Sequence, residues 1–184
     1  MSTETPTKIE HRCRYCDKAL QRESSLAVHV CEQKKRFQEE RETGVQLGLQ
    51  AWLRFFEITQ GSAKLKTFDD FARSPYYRAF VKFGRHIQAI RAVNPGRFVE
   101  WVIRQNKKLD HWCHEKVYAE YLAQYVREEH VDDALARALE ESIKWEEETG
   151  NPARDYLRYG NTNRVCHAIV NGRVTAWILF LILS

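Results

Sequence analysis

Three cysteines and one histidine near the start of the chain constrain its fold more than any other feature. Cys13 and Cys16 are separated by two residues, His29 follows Cys16 after twelve, and Cys31 follows His29 after one. Thiolates and imidazoles are ligands that zinc prefers, and a bound zinc ion stabilises segments too short to bury a sufficient core. The spacing therefore predicts that Cys13, Cys16, His29 and Cys31 bind one Zn²⁺.

The segment 11–33, called the finger below, resembles the C2H2 zinc-finger family, with a C2HC ligand set. Leu20 and Leu26 stand at the positions of the two apolar residues that form the small core in that family. The resemblance implies a ββα fold that places two thiolates on a hairpin and an imidazole on the helix. In the alternative interpretation, the segment holds a pair of buried, reduced cysteines and no metal.

The fourth ligand departs from the family pattern, in which about three to five residues follow the first histidine. Here that gap leads only to residues 33–35, a glutamine and two lysines. Residues two apart on a regular helix point in nearly opposite directions, so the helix must end or tighten right after His29 if Cys31 is to reach the same ion. His11 is the alternative fourth ligand.

The rest of the chain predicts helices. A polar and disordered leader covers residues 1–10, a connecting helix covers 34–59, and an all-α domain covers 60–184. No alternating strand pattern follows residue 33, so the predicted fold class is mainly α, with a small N-terminal ββα zinc finger followed by an all-α helical domain. One later amphipathic helix carries three apolar residues on a single face: Leu135, Leu139 and Ile143.

The charges are distributed unevenly along the chain. Residues 60–115 carry 11 Lys and Arg against 5 Asp and Glu, whereas residues 116–150 carry 4 against 10. Such segregation is typical of solvated helix faces, and less often it marks a basic surface for nucleic acid. Arg22 stands where the finger family contacts a base edge, and phosphate contacts need only positive charge. The candidate nucleic-acid-binding residues are Arg22, Lys34, Lys35, Arg36, Arg104, Lys107 and Lys108.

These features predict a zinc-binding, nucleic-acid-associated accessory protein that is not an enzyme. The sequence lacks a glycine-rich phosphate loop, an HExxH motif and a serine-nucleophile motif. We expect DNA rather than RNA as the nucleic acid, a protein partner for the acidic helices, and no small-molecule substrate. The alternative is a structural or adaptor protein of a viral assembly, in which the finger is a zinc-stabilised knob that docks on another protein.

The location expected from the sequence is the cytoplasm. The first thirty residues are polar, the cysteine usage suits a reducing compartment, and no apolar run approaches the ~20 residues of a membrane span. The segment FDDFARSPYYRAF, residues 68–80, resembles uncharacterised proteins of large tailed bacteriophages. That resemblance implies a phage-encoded protein of the host cytoplasm. The apolar stretch 176–184 is expected to pack on the domain or on a partner, because exposure would favour aggregation.

Overall fold

A computed structural model of the protein describes residues 11–61, 65–175 and 177–178. Within these residues the chain forms one two-stranded antiparallel sheet and then ten α-helices, with no strand after the sheet. The mainly α fold class, with an N-terminal ββα unit, is therefore confirmed. The predicted leader, residues 1–10, lies outside the described residues.

Short connections join most of the elements. In chain order they are β1 (His11–Arg12), β2 (Ala19–Leu20), α1 (Glu23–Ala27), α2 (Glu32–Gln38), α3 (Thr43–Gln60), α4 (Phe68–Arg73), α5 (Tyr77–Ala89), α6 (Pro95–Arg104), α7 (Glu115–Glu128), α8 (Val131–Thr149), α9 (Tyr156–Tyr159) and α10 (Thr162–Val170). Two 3₁₀ helices, Leu109–His111 and Ala153–Asp155, precede α7 and α9.

The predicted connecting helix, residues 34–59, is two helices in the structure. α2 ends at Gln38 and α3 begins at Thr43, although no glycine or proline marks this break in the sequence. A tertiary contact lies at the break instead, because the Arg85 guanidinium of α5 reaches carboxylates on both sides of it. Its Nη2 lies 2.6 Å from Glu42 and 3.3 Å from Glu39.

α3 is part of the hydrophobic core rather than a connector. Its residues Val45, Ala51 and Trp52 are buried among side chains of α4 and α5. α3 and α5 approach each other closely at glycines, where a methyl group on Gly84 would overlap backbone atoms of Gly44 and Gly48. The backbones therefore meet directly, which gives this pair of helices a close packing that larger residues would prevent.

The apolar face of α8 is not the face that contacts the body. Leu135, Leu139 and Ile143 share one face as the sequence predicts, but Leu139 and Ile143 are 54% and 42% exposed. Glu141 takes the inner side instead, with a side chain only 3% exposed that pairs with Arg91 and Arg173. The buried apolar residues of α8 are Ala134, Ala138 and Trp145.

Some of the segregated charges pair with one another across helices. Three ion pairs join the basic segment to the acidic one: Arg91 to Glu141, Arg97 to Glu128 and Lys107 to Glu120. The uneven distribution along the chain thus becomes a set of interhelical contacts around the body. A basic residue in this segment is therefore not by itself evidence of a surface for nucleic acid.

Candidate metal centre

Four side chains of the finger converge on one point. The ligand atoms of Cys13, Cys16, His29 and Cys31 all lie within 4.8 Å of one another. His29 Nε2 lies 3.4 Å from Cys16 Sγ. In a tetrahedral zinc site, with bonds of about 2.3 Å to sulfur and about 2.0 Å to nitrogen, sulfur and nitrogen ligands stand about 3.5 Å apart. These four residues could hold a metal ion, and their chemistry fits zinc.

The hairpin supplies the first two ligands through a tight turn between β1 and β2. The Cys13 N–H donates to the Lys18 carbonyl at 3.0 Å, and the Asp17 N–H donates to the Cys13 carbonyl at 2.8 Å. Asp17 has a φ of 56°, in the left-handed region that aspartate tolerates better than most residues with a side chain. This reversal right after Cys16 places both thiols in the cluster.

Backbone N–H groups in the turn favour the thiolate form of Cys13. The N–H of Tyr15, with a smaller contribution from that of Cys16, lowers the pKa of the Cys13 thiol. At Cys16 the N–H of Lys18 also acts to lower the pKa, but burial and the neighbouring thiols outweigh it, so the pKa is raised. Because metal binding requires thiolates, a bound cation would supply the positive charge that Cys16 needs to lose its proton.

Cys31 reaches the cluster because the helix has already ended. α1 ends at Ala27, two residues before His29, whereas the sequence predicts an end right after the histidine. Cys31 is the N-cap of α2, and its Sγ accepts a hydrogen bond from the Lys34 N–H at 3.3 Å. A connection without helical structure thus separates His29 from α2, and this removes the problem of opposite helix faces. His11, the alternative ligand, is not in the cluster.

α2 connects the finger to the body through aromatic rings. The ring of Tyr15 in the hairpin packs on Phe37 of α2 at 5.2 Å, and Phe37 packs edge-on against Phe68 of α4 at 5.6 Å. Sequence reasoning missed this contact, although Phe37 is an isolated aromatic residue in the charged stretch 32–43. The metal-ligand cluster is therefore joined to the body on the side of α2.

The candidate nucleic-acid-binding residues near the finger have different surroundings. Arg22 and Lys35 are exposed, and they make no ion pair among the described residues. Lys34 is partly buried, and its Nζ donates to the His29 carbonyl at 3.3 Å. The Arg36 guanidinium is mostly buried, donates to the Ala72 carbonyl at 2.7 Å and lies over the ring of Tyr77. Arg36 thus acts in the contact between α2 and the body.

The three candidate residues of the body lie at and after the end of α6. Arg104 is exposed and lies 3.5 Å from a Glu100 oxygen, and Lys107 Nζ lies 2.6 Å from a Glu120 oxygen. Lys108 is exposed, without an ion pair among the described residues. The seven candidates therefore fall into one group at the finger and α2 and another at α6.

No helix in the described part of the chain combines the length and the apolar character needed to cross a membrane.

The comparisons with known proteins give no relative from which a role could be transferred. No family model matches the chain, and neither the curated proteins nor the solved structures give a match. The resemblance to phage proteins therefore gains no support. The resemblance to zinc fingers is supported by the ββα order and by the cluster of Cys13, Cys16, His29 and Cys31.

Proposed function

We propose that the protein is a non-catalytic, zinc-binding accessory protein that contacts the phosphate backbone of nucleic acid through its finger and α2. Zinc has a structural role in this proposal, because all four positions of a tetrahedral site would be taken by protein ligands and none is open for a substrate or water. A closed site supplies folding energy to the finger rather than Lewis-acid chemistry.

The observation that carries the proposal is the contrast between the cations of the finger and α2 and those of the body. Arg22 and Lys35 are exposed and without ion pairs among the described residues, so their charges are available to phosphate. Arg104 and Lys107 each have a carboxylate neighbour, which reduces the charge that they offer, and this leaves Lys108 as the one candidate cation of the body that is exposed and without an ion pair among the described residues. We therefore assign the main phosphate contact to the finger and α2, and a minor one to the body. Duplex DNA is the proposed ligand.

A specific observation supports a second candidate function, an adaptor of a viral assembly with the finger as a docking knob. Val28 and Val30 are 78% and 62% exposed beside the metal-ligand cluster. Exposed valines on a small module suit a contact with another protein, and Val28 offers no hydrogen bond to a base. Both candidate functions include a phage origin, which rests on the resemblance of residues 68–80 to phage proteins.

Fluorescence anisotropy across a salt series tests the proposal with the zinc-loaded protein and labelled duplex DNA. Removal of each phosphate contact lowers the slope of log affinity against log salt by about 1. We expect the Arg22→Ala/Lys35→Ala variant to lower this slope by about 2. The matched body variant, Arg104→Ala/Lys108→Ala, has the same change in charge and should lower the slope less.

The same titration distinguishes the candidates. If the protein does not bind DNA, or if its binding does not depend on salt, the phosphate proposal is excluded and the docking knob remains as the candidate function. A parallel titration with duplex and single-stranded RNA of the same length tests the preference for DNA. Equal losses in the finger and body variants would assign phosphate contacts to both groups of residues.

A further inference from the structure

An apolar stripe lies along the outward side of α8. Leu135, Leu139 and Ile143 follow one another at intervals of four residues, which places them on one face of the helix. Leu139 and Ile143 are exposed and Leu135 is half-buried. None of the three belongs to either hydrophobic cluster of the described residues. Neighbouring apolar side chains that lie outside the core are typical of a surface that contacts another molecule.

Carboxylates without balancing cations border one side of this stripe. Glu140 and Glu147 are exposed and lie one helical turn before and after Ile143. The ion pairs of α8 among the described residues use other carboxylates, namely Asp132, Glu141 and Glu148. Along its length α8 carries seven Asp and Glu against two Lys and Arg. The border of the stripe therefore offers uncompensated negative charge to a partner.

We propose that the stripe and these two carboxylates, called the α8 face below, bind a basic amphipathic helix of a partner protein. A row of side chains four residues apart is a ridge that packs into the groove of a second helix. The apolar residues of the partner would cover Leu139 and Ile143, while its lysines or arginines would meet Glu140 and Glu147. Complementary charges of this kind fix the register of two helices and discriminate against other partners.

Other occupants fit the α8 face less well. Nucleic acid and anionic lipid surfaces have the same sign of charge as Glu140 and Glu147. An extended peptide that adds a strand needs the free backbone groups of a sheet edge, and the interior of a helix has none. A second copy in a symmetric contact would place the same acidic face on both sides of the interface. The charges therefore favour a basic helix from a different protein.

The α8 face is held in place from behind. Glu141, on the opposite side of the helix, is buried and pairs with Arg91 and Arg173. A preformed face loses little conformational freedom on binding, which favours affinity. The stripe has few apolar residues, so we expect a transient contact with a dissociation constant on the order of micromolar. This proposal does not rest on the proposed function, because neither the finger nor the candidate phosphate contacts take part in it.

Fluorescence anisotropy with designed peptides tests the proposal on the zinc-loaded chain. The probe is a labelled helical peptide with leucines on one face and lysines beside them, and the control peptide has glutamate in place of every lysine. The titration is run at about 0.15 M salt, where charges more than about 8 Å apart are largely screened. We expect the lysine peptide to bind at least about tenfold more tightly than the glutamate peptide. No binding of the lysine peptide would overturn the proposal.

Leu139→Gln/Ile143→Gln tests the apolar part of the α8 face. Both positions are exposed and glutamine favours helices, so the helical circular dichroism should be unchanged. We expect this variant to bind the lysine peptide at least about tenfold more weakly than wild type. The matched control, Val28→Gln/Val30→Gln, removes two exposed valines from the finger and should keep the wild-type affinity. Equal affinity of wild type and the α8 variant would reduce the binding to charge attraction and overturn the proposal.

Charge reversal tests the acidic border. Glu140→Lys/Glu147→Lys should reverse the preference, so that this variant binds the glutamate peptide more tightly than the lysine peptide. Glu40→Lys/Asp110→Lys makes the same change in net charge at exposed positions outside α8 and should keep the wild-type preference. A preference that both variants keep, or that both lose, would contradict the proposal. In sedimentation without peptide, a wild-type dimer that dissociates in Leu139→Gln/Ile143→Gln would assign the α8 face to a second copy instead.

Discussion

His29 presents its Nε2 to the Sγ of Cys16 at 3.4 Å from a position two residues beyond the end of α1. The usual finger holds its histidines on the helix, whereas here the connection between α1 and α2 positions the ligand. Cys31 lies on the same connection and also caps α2. The geometry of the cluster therefore depends on this short connection between α1 and α2.

Zinc content distinguishes the two candidates for the fourth ligand. We expect wild type and His11→Ala to hold one zinc ion per chain, since His11 lies outside the cluster. Cys31→Ser should lower zinc affinity by at least about 100-fold, because loss of a ligand costs more than loss of an outer hydrogen bond to one. Competition with a chromophoric chelator measures the zinc content and the zinc affinity of each variant. Zinc lost from His11→Ala and kept by Cys31→Ser would reverse the assignment.

Removal of zinc should release α2 together with the finger. α2 has seven residues, too few to be stable by itself, and its first turn is capped by the Sγ of Cys31. In hydrogen exchange with and without a chelator, we expect residues 11–38 to lose protection while α5 keeps it. Protection of α2 that survives chelation would show that the contacts of Phe37 and Arg36 with the body suffice to hold it.

The buried carboxylate of Glu141 should make stability depend on pH. Burial acts to raise its pKa, but hydrogen bonds from Arg173 and Arg91 outweigh burial, and the pKa lies below the unperturbed 4.5. A lowered pKa contributes stability that is present above pH 4.5 and is lost as the pH falls through the folded-state pKa. Glu141→Gln should therefore cost about 2 kcal/mol near neutral pH and progressively less below pH 4.5.

Urea unfolding followed by tryptophan fluorescence measures this difference at each pH. Glu140→Gln, the adjacent and exposed position, is the control and should change the free energy of unfolding by less than about 0.5 kcal/mol. The control also corrects for zinc release in acid, which affects both variants equally. A cost for Glu141→Gln that stays constant down to low pH would contradict the prediction.

The close approach of α3 and α5 should make Gly84 intolerant of a side chain. A methyl group there would overlap the Gly44 carbonyl oxygen and backbone atoms of Gly48, so the helices must separate. We expect Gly84→Ala to lower the free energy of unfolding by about 2–3 kcal/mol, although alanine favours helices. At Gly96 the nearest atom to an added methyl group is the Asn94 Oδ1 at 3.9 Å, so Gly96→Ala should change stability little.

The sequence by itself determined the parts of this protein that rest on local spacing. The intervals between Cys13, Cys16, His29 and Cys31 predicted the cluster that could hold a metal ion, because a metal site needs few residues and tolerates few arrangements. The resemblance of residues 11–33 to zinc fingers implied the ββα unit, and helix patterns predicted the helical body. The capping box of α4, in which Thr67 and Asp70 bond each other's backbone N–H groups, is a local signal of the same kind.

Only the tertiary structure decided which side of α8 is buried and where the helix after the finger breaks. The pattern of Leu135, Leu139 and Ile143 places three apolar residues on one face, but the structure puts Glu141 on the inner side, paired with Arg91 and Arg173, and leaves Leu139 and Ile143 exposed. The break between α2 and α3 lies where Arg85 reaches across from α5. These outcomes depend on ion-pair partners about 32 to 50 residues away along the chain. A local sequence pattern does not specify contacts made at that distance.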